Sequence, residues 1–143
     1  MTTKELNRKK KYPDTSTFHW YNANPKGKIT GDCVIRALCT AMEKPYEDVY
    51  RELLESALST GYSIASKENY DRYLKANGWT KHKQPRKEDN TRYTGTEFCE
   101  RARTYERYIA KIGCHHIVAI VDGKVNDIWD STYKCIGNYW TKG

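Results

Sequence analysis

The first group in this sequence able to do covalent chemistry is the thiol of Gly31-Asp32-Cys33, which stands where an apolar helical pattern begins. A cysteine in the first turn of a helix sits at the positive end of the helix dipole, beside backbone N–H groups with no partner inside the helix. That setting takes a thiol pKa from about 8.5 into the range of ~3.5–7.5, so thiolate is present near neutrality. Gly31 lets the chain turn sharply and leaves the sulfur approachable. The backbone N–H of Cys33 is also placed to donate to an oxyanion. The plainer reading makes Cys33 a small buried residue opening a core helix, as Cys39 on the same helix is read to be.

Two later segments hold what a thiol needs as partners. Cys114-His115-His116 opens an apolar stretch, and His116 there is a candidate general base. Asp127-Ile128-Trp129-Asp130-Ser131 follows on the return stretch, and either aspartate is able to accept from the imidazole and fix its tautomer. Cys114, His115, His116 and Cys135 lack C-x2-C or H-x3-H spacing, and adjacent histidines on a strand point to opposite faces. No metal and no other cofactor is expected, and no phosphate-cradling glycine loop is present.

Helices must carry the thiol and strands the histidine. Val34, Ala37, Leu38, Ala41 and Met42 recur at the spacing of one buried stripe, which predicts a helix from about Asp32 or Cys33. Pro45 starts a second helix whose apolar stripe is Tyr46, Val49, Tyr50, Leu53, Leu54, Ala57 and Leu58, ended by Gly61. Ser66 caps a third, stopped by Asn77-Gly78, and the Thr94 to Glu97 capping box opens a short fourth. Residues 80–93 read as a polar basic loop.

The pattern then becomes strand-like at Tyr105 to Ile112, His116 to Val121, Lys124 to Trp129 and Tyr133 to Trp140. Asp122-Gly123 is a tight-turn signal. A strict two-residue turn puts His115 opposite Asp130, and His116 opposite Trp129 and diagonal to Asp127. Pairing His116 with Asp130 needs a bulge or a wider loop. Helices first and an antiparallel sheet of about four strands second is the order of an α+β fold.

The 143 residues fit one domain, 19–143, preceded by a basic flexible arm, 1–18. Residues 1–12 carry +4 and residues 80–92 carry +3, so two local segments account for the whole net charge of +7. Charge runs of this kind are usually solvated surface, with nucleic-acid phosphates the less favoured reading. No apolar run approaches the ~18 residues of a membrane span, and Met1 to Lys11 lacks the apolar segment of a signal peptide. A cytoplasmic protein with no membrane partner is expected, its five cysteines present as thiols.

Cysteine on an early helix, histidine on a late strand and aspartate on the next strand is the chain order of papain-like cysteine peptidases. Asp32-Cys33-Val34-Ile35-Arg36-Ala37-Leu38 resembles the nucleophile-helix motif of the domains that trim bacteriocin leaders. His116-Ile117-Val118-Ala119-Ile120 resembles their histidine strand, and Ile128-Trp129-Asp130 the strand where that fold places its Asp or Asn. The resemblance selects Cys33, His116 and Asp130 as the triad, with Asp127 the first substitute. The family pattern has a glutamine about six residues before the cysteine to complete the oxyanion hole. Here that position is Gly27, and Asn24 or Asn22 is the available replacement. More broadly, NPKGKITGDCVIRAL, GWTKHKQP, HIVAIVDGKVNDIWDS and the ending GNYW resemble small proteins of Gram-positive phages and prophages, over residues 20 to 140.

The resemblance implies a papain-like fold, a host-cytoplasm location and acyl transfer from a peptide or protein substrate to water. The competing expectation is a non-catalytic scaffold that binds and inhibits a host or defence factor, or nucleic acid, through its basic segments.

Overall fold

A computed structural model describes residues 1–102 and 105–143. Among them are five helices, α1 (Thr3–Lys11), α2 (Cys33–Met42), α3 (Tyr46–Thr60), α4 (Lys67–Ala76) and α5 (Gly95–Arg101). Six strands, β1 (Phe18–Trp20), β2 (Trp79–His82), β3 (Arg107–Ile112), β4 (His116–Val121), β5 (Lys124–Asp127) and β6 (Ile136–Lys142), form one sheet in the order β1-β5-β4-β3-β6-β2. The α+β class is observed. The sheet differs from the expected antiparallel sheet of about four strands, because β1 adds to β5 in parallel and β2 pairs with β6. β1 comes from the aromatic cluster around His19, and β2 from the start of the stretch expected to be loop.

The hairpin that carries the candidate histidine forms as its turn chemistry dictates. Asp122 and Gly123 both have positive φ, 50° and 76°, the backbone of the two-residue turn whose twist matches the flanking strands. Val121 therefore pairs with Lys124, Ile120 with Val125 and Ala119 with Asn126. His116 starts β4 and Asp127 ends β5, so both stand at one end of the sheet.

Alternation along β4 feeds two cores. Ile117 and Ala119 pack with Val34, Leu38 and Leu53 from α2 and α3 and with Tyr70 and Leu74 from α4. Val118 and Ile120 pack on the opposite side with Phe18, Trp20, Phe98 and Tyr108. α2 is apolar nearly all round and lies directly on β4. Burying a side chain such as Leu38 or Leu53 contributes about 1.5–3 kcal/mol, so α2 is fixed against the sheet by packing rather than by its own length.

The segment expected to be a flexible arm instead opens with α1. Thr2 and Glu5 make its capping box, with the Thr2 hydroxyl accepting from the Glu5 amide and the Glu5 carboxylate accepting from the Thr2 amide. Glu5 is buried, and its second oxygen accepts from Asn22, which ties α1 to the loop that leads into α2. Among the described residues no helix is long and apolar enough to cross a membrane.

Candidate active site

Cys33 opens α2 beside His116 and the backbone N–H of Ile117, both of which act to lower its thiol. His116 Nε2 lies 2.6 Å from Asp127 Oδ2, which leaves Nδ1 as the ring nitrogen for the thiol. The aspartate is thus Asp127, and the expectation of Asp130 is corrected. The two-residue turn keeps strict register, so Asp127 meets His116 on the diagonal without any bulge. Asp130 lies beyond the end of β5, where one carboxylate oxygen accepts from both the amide and the hydroxyl of Thr132.

Asp127 is almost fully buried and every contact fixes its orientation. Oδ1 accepts from the Ile128 amide at 2.7 Å and from Arg36 Nη1 at 2.6 Å, while Oδ2 takes the imidazole. Arg36 is itself buried and also donates through Nε to Asp32 Oδ1 at 2.7 Å. Asp32 Oδ2 accepts from the Tyr46 hydroxyl at 2.8 Å and from Asn24 Nδ2 at 3.0 Å. One continuous hydrogen-bonded chain therefore runs from Tyr46 and Asn24 through Asp32, Arg36 and Asp127 to His116, the residue beside Cys33. Buried charges persist when paired and hydrogen-bonded in this way.

The chain has a consequence at the helix start. Asp32 is the N-cap residue by position, yet its carboxylate makes no cap hydrogen bond because Arg36, Tyr46 and Asn24 hold it. The first amides of α2, including that of Cys33, are left without a side-chain cap.

The electrostatics of the pair follow from these contacts. Burial alone raises the Cys33 thiol, but the hydrogen bond and charge of His116, the Ile117 amide and the charge of Arg36 together bring it below its ordinary value. Burial alone lowers His116, but hydrogen bonds and charge from Asp127 and Cys33 raise it to about 9. Cys39, on the same helix but without such partners, is pushed up to about 11, chiefly by burial. The two thiols of α2 are opposite cases made by position. The Trp129 ring packs at a tilt against His116, ring centroids 4.9 Å apart.

The remaining candidates fall elsewhere. Asn24 is held by its own loop: one Nδ2 hydrogen donates to Asp32 and Oδ1 accepts from the Lys26 amide. Asn22 likewise holds Glu5 and the Lys28 carbonyl. A glutamine at position 27 would be strained, because φ is +66° and a Cβ would come within 2.6 Å of Glu5 Oε1, so the Glu5 carboxylate would have to move. Cys114 and His115 are exposed in the turn before β4, and all five cysteines are free thiols. Among the described residues no three His, Cys, Asp or Glu side chains converge as metal ligands.

Arg36, Tyr46 and Trp129 were not singled out by sequence reasoning. The available signal for Arg36 was an arginine four residues after an aspartate on a helix otherwise apolar on every side, where a guanidinium has no route to water. Compared with family models, with curated proteins and with solved structures, the chain matches none.

Proposed function

We propose that this protein is a papain-like cysteine hydrolase that transfers an acyl group from a peptide or amide to water. The observation that supports this reading best is the linked set Cys33, His116 and Asp127, in which the thiol is lowered and the imidazole raised.

In this reading the Cys33 thiolate attacks the substrate carbonyl carbon, and the carbonyl π electrons move to oxygen. The Cys33 N–H, uncapped at the start of α2, donates to that oxyanion. His116 gives the Nδ1 proton to the leaving nitrogen as the C–N bond breaks, leaving a thioester on Cys33. His116 then takes a proton from water, hydroxide adds to the thioester, and collapse releases the acid and restores the thiolate. Asp127 keeps the Nε2 proton in place throughout, and Arg36 holds Asp127 from the other side as a positioning residue.

Acyl transfer from p-nitrophenyl acetate tests the reading. The expected result is a burst of nitrophenolate with one acetyl group on Cys33 by peptide mass, followed by steady turnover that is lost in Cys33→Ala and His116→Ala. An acetyl-Cys33 that persists without turnover would contradict hydrolysis and favour a binding scaffold. Acetylation of Cys33 no faster than of the other four thiols would remove the nucleophile.

A further inference from the structure

α3 carries more apolar surface than the fold buries. Val49, Leu53 and Ala57 form its buried stripe. Tyr50, Leu54 and Leu58, each four residues from the last, run along a second face and remain 45%, 41% and 77% exposed. The sequence pattern puts both rows in one stripe, and the structure covers only the first. Tyr46 begins the exposed row and joins Pro25, Tyr50 and Leu54 in lining a cavity of about 400 Å³. That volume is within the range of small-ligand and side-chain pockets.

The rim of this cavity is cationic. Lys26 and Lys28 from the loop and Arg51 from α3 face it, against a single carboxylate, Glu47. Among the described residues Arg51 makes an exposed contact with Asp48, at 3.7 Å. The cavity also adjoins the thiol helix. Its walls include Tyr46 and Asn24, and both side chains donate to Asp32 Oδ2, in the residue immediately before Cys33.

We propose that this cavity holds an acidic peptide segment of the substrate, with a large apolar side chain inserted between Pro25 and the Tyr46, Tyr50, Leu54 row and its carboxylates on Lys26, Lys28 and Arg51. The inference rests on the acyl-transfer reading and adds the substrate class to it. An apolar anchor supplies affinity, and the cationic rim supplies selection and steering. A second copy of the chain fits less well, because a two-fold contact at this face sets the same lysines and arginine against themselves.

The test uses the full chain with Cys33→Ala, so that nothing is turned over, and two fluorescein-labelled peptides. One is Asp-Leu-Glu-Tyr-Asp-Leu-Gly-Gly, and the other has lysine at each acidic position. By fluorescence anisotropy the acidic peptide binds roughly tenfold or more tightly than the basic one, and this preference is lost in Lys26→Glu/Lys28→Glu. Leu54→Glu, at an exposed position, weakens the acidic peptide by about tenfold or more.

Equal affinity for the two peptides, no binding of either, or acidic binding that survives Leu54→Glu would overturn the proposal. So would a dimer in sedimentation that Leu54→Glu dissociates, which would place a second copy here. Iodoacetamide labelling of the wild-type chain separates the two readings. An inert Cys33 with intact peptide preference refutes the hydrolase and keeps the docking surface. A reactive Cys33 without preference refutes the docking surface alone.

Discussion

Two histidine–aspartate pairs in this molecule have nearly the same contact and very different surroundings. His19 and Asp14 are 2.7 Å apart, and Asp14 also accepts from the Trp20 amide. His116 and Asp127 are 2.6 Å apart, and Asp127 also accepts from the Ile128 amide. The His19 side chain is 46% exposed and that of His116 is 16%. The second aspartate also has Arg36 behind it and the second imidazole has Cys33 in front. A His–Asp contact is therefore not a site in itself. Burial, a third charge that fixes the carboxylate, and a thiol on the free ring nitrogen make one of the two chemically consequential.

The largest expected effect comes from breaking the buried pair. Asp127→Ala takes the shared carboxylate from both Arg36 and His116, and Arg36→Ala leaves Asp32 buried without a charged partner, so each costs about 3–5 kcal/mol of stability in urea unfolding. The matching change Asp14→Ala, at an exposed pair, costs about 1 kcal/mol or less. Similar losses at the two sites would mean that burial does not separate them.

Next in size is thiol reactivity. His116→Ala slows Cys33 alkylation near neutral pH by roughly tenfold or more, because the partner that lowers the thiol is gone. His19→Ala leaves that rate unchanged.

The pH dependence of stability sharpens the contrast further. His116 is raised to about 9, so its contribution is complete below the unfolded value of 6.5 and is lost as pH rises through about 9. Cys33 is lowered, so its contribution is complete above the unfolded value of 9.0 and is lost as pH falls through its folded value. Where the two windows overlap, below about 9, they oppose each other, the Cys33 contribution rising with pH and the His116 contribution falling. Cys33→Ala removes the rising term. Its stability, followed by urea midpoints over that window, falls more with pH than that of the wild type. A wild type that falls more than the variant would show the proton on sulfur rather than on the ring.

The smallest effect is expected at Asp130. Asp130→Asn disturbs the turn hydrogen bonds to Thr132 and costs about 1 kcal/mol or less, with Cys33 reactivity intact.

The site was legible in the sequence where local rules decide it. The helix at Cys33, the Asp122-Gly123 turn and the strand at His116 follow from periodicity and turn chemistry, and the turn's register already put Asp127 diagonal to His116. Choosing Asp130 set a motif likeness above that register, and the unbulged hairpin shows the register to be the stronger physical constraint. Arg36 and Tyr46 were hidden because their partners Asp127 and Asp32 meet them only when α2 packs on the sheet end and α3 turns back beside it. β1 was hidden because a three-residue parallel strand has no periodicity of its own and needs β5 to exist. The exposed row on α3 was read into one apolar stripe with the buried row because periodicity reports apolar faces and not what covers them.

The central claim is that Asp127, and not Asp130, completes the chain to Cys33. The most direct test is the rate of iodoacetamide labelling of Cys33 against pH in the wild type, His116→Ala, Asp127→Asn and Asp130→Asn. The account predicts fast labelling of the wild type below the ordinary thiol range, slow labelling in His116→Ala and Asp127→Asn, and a wild-type profile in Asp130→Asn. Slow labelling in Asp130→Asn with a wild-type profile in Asp127→Asn would contradict it.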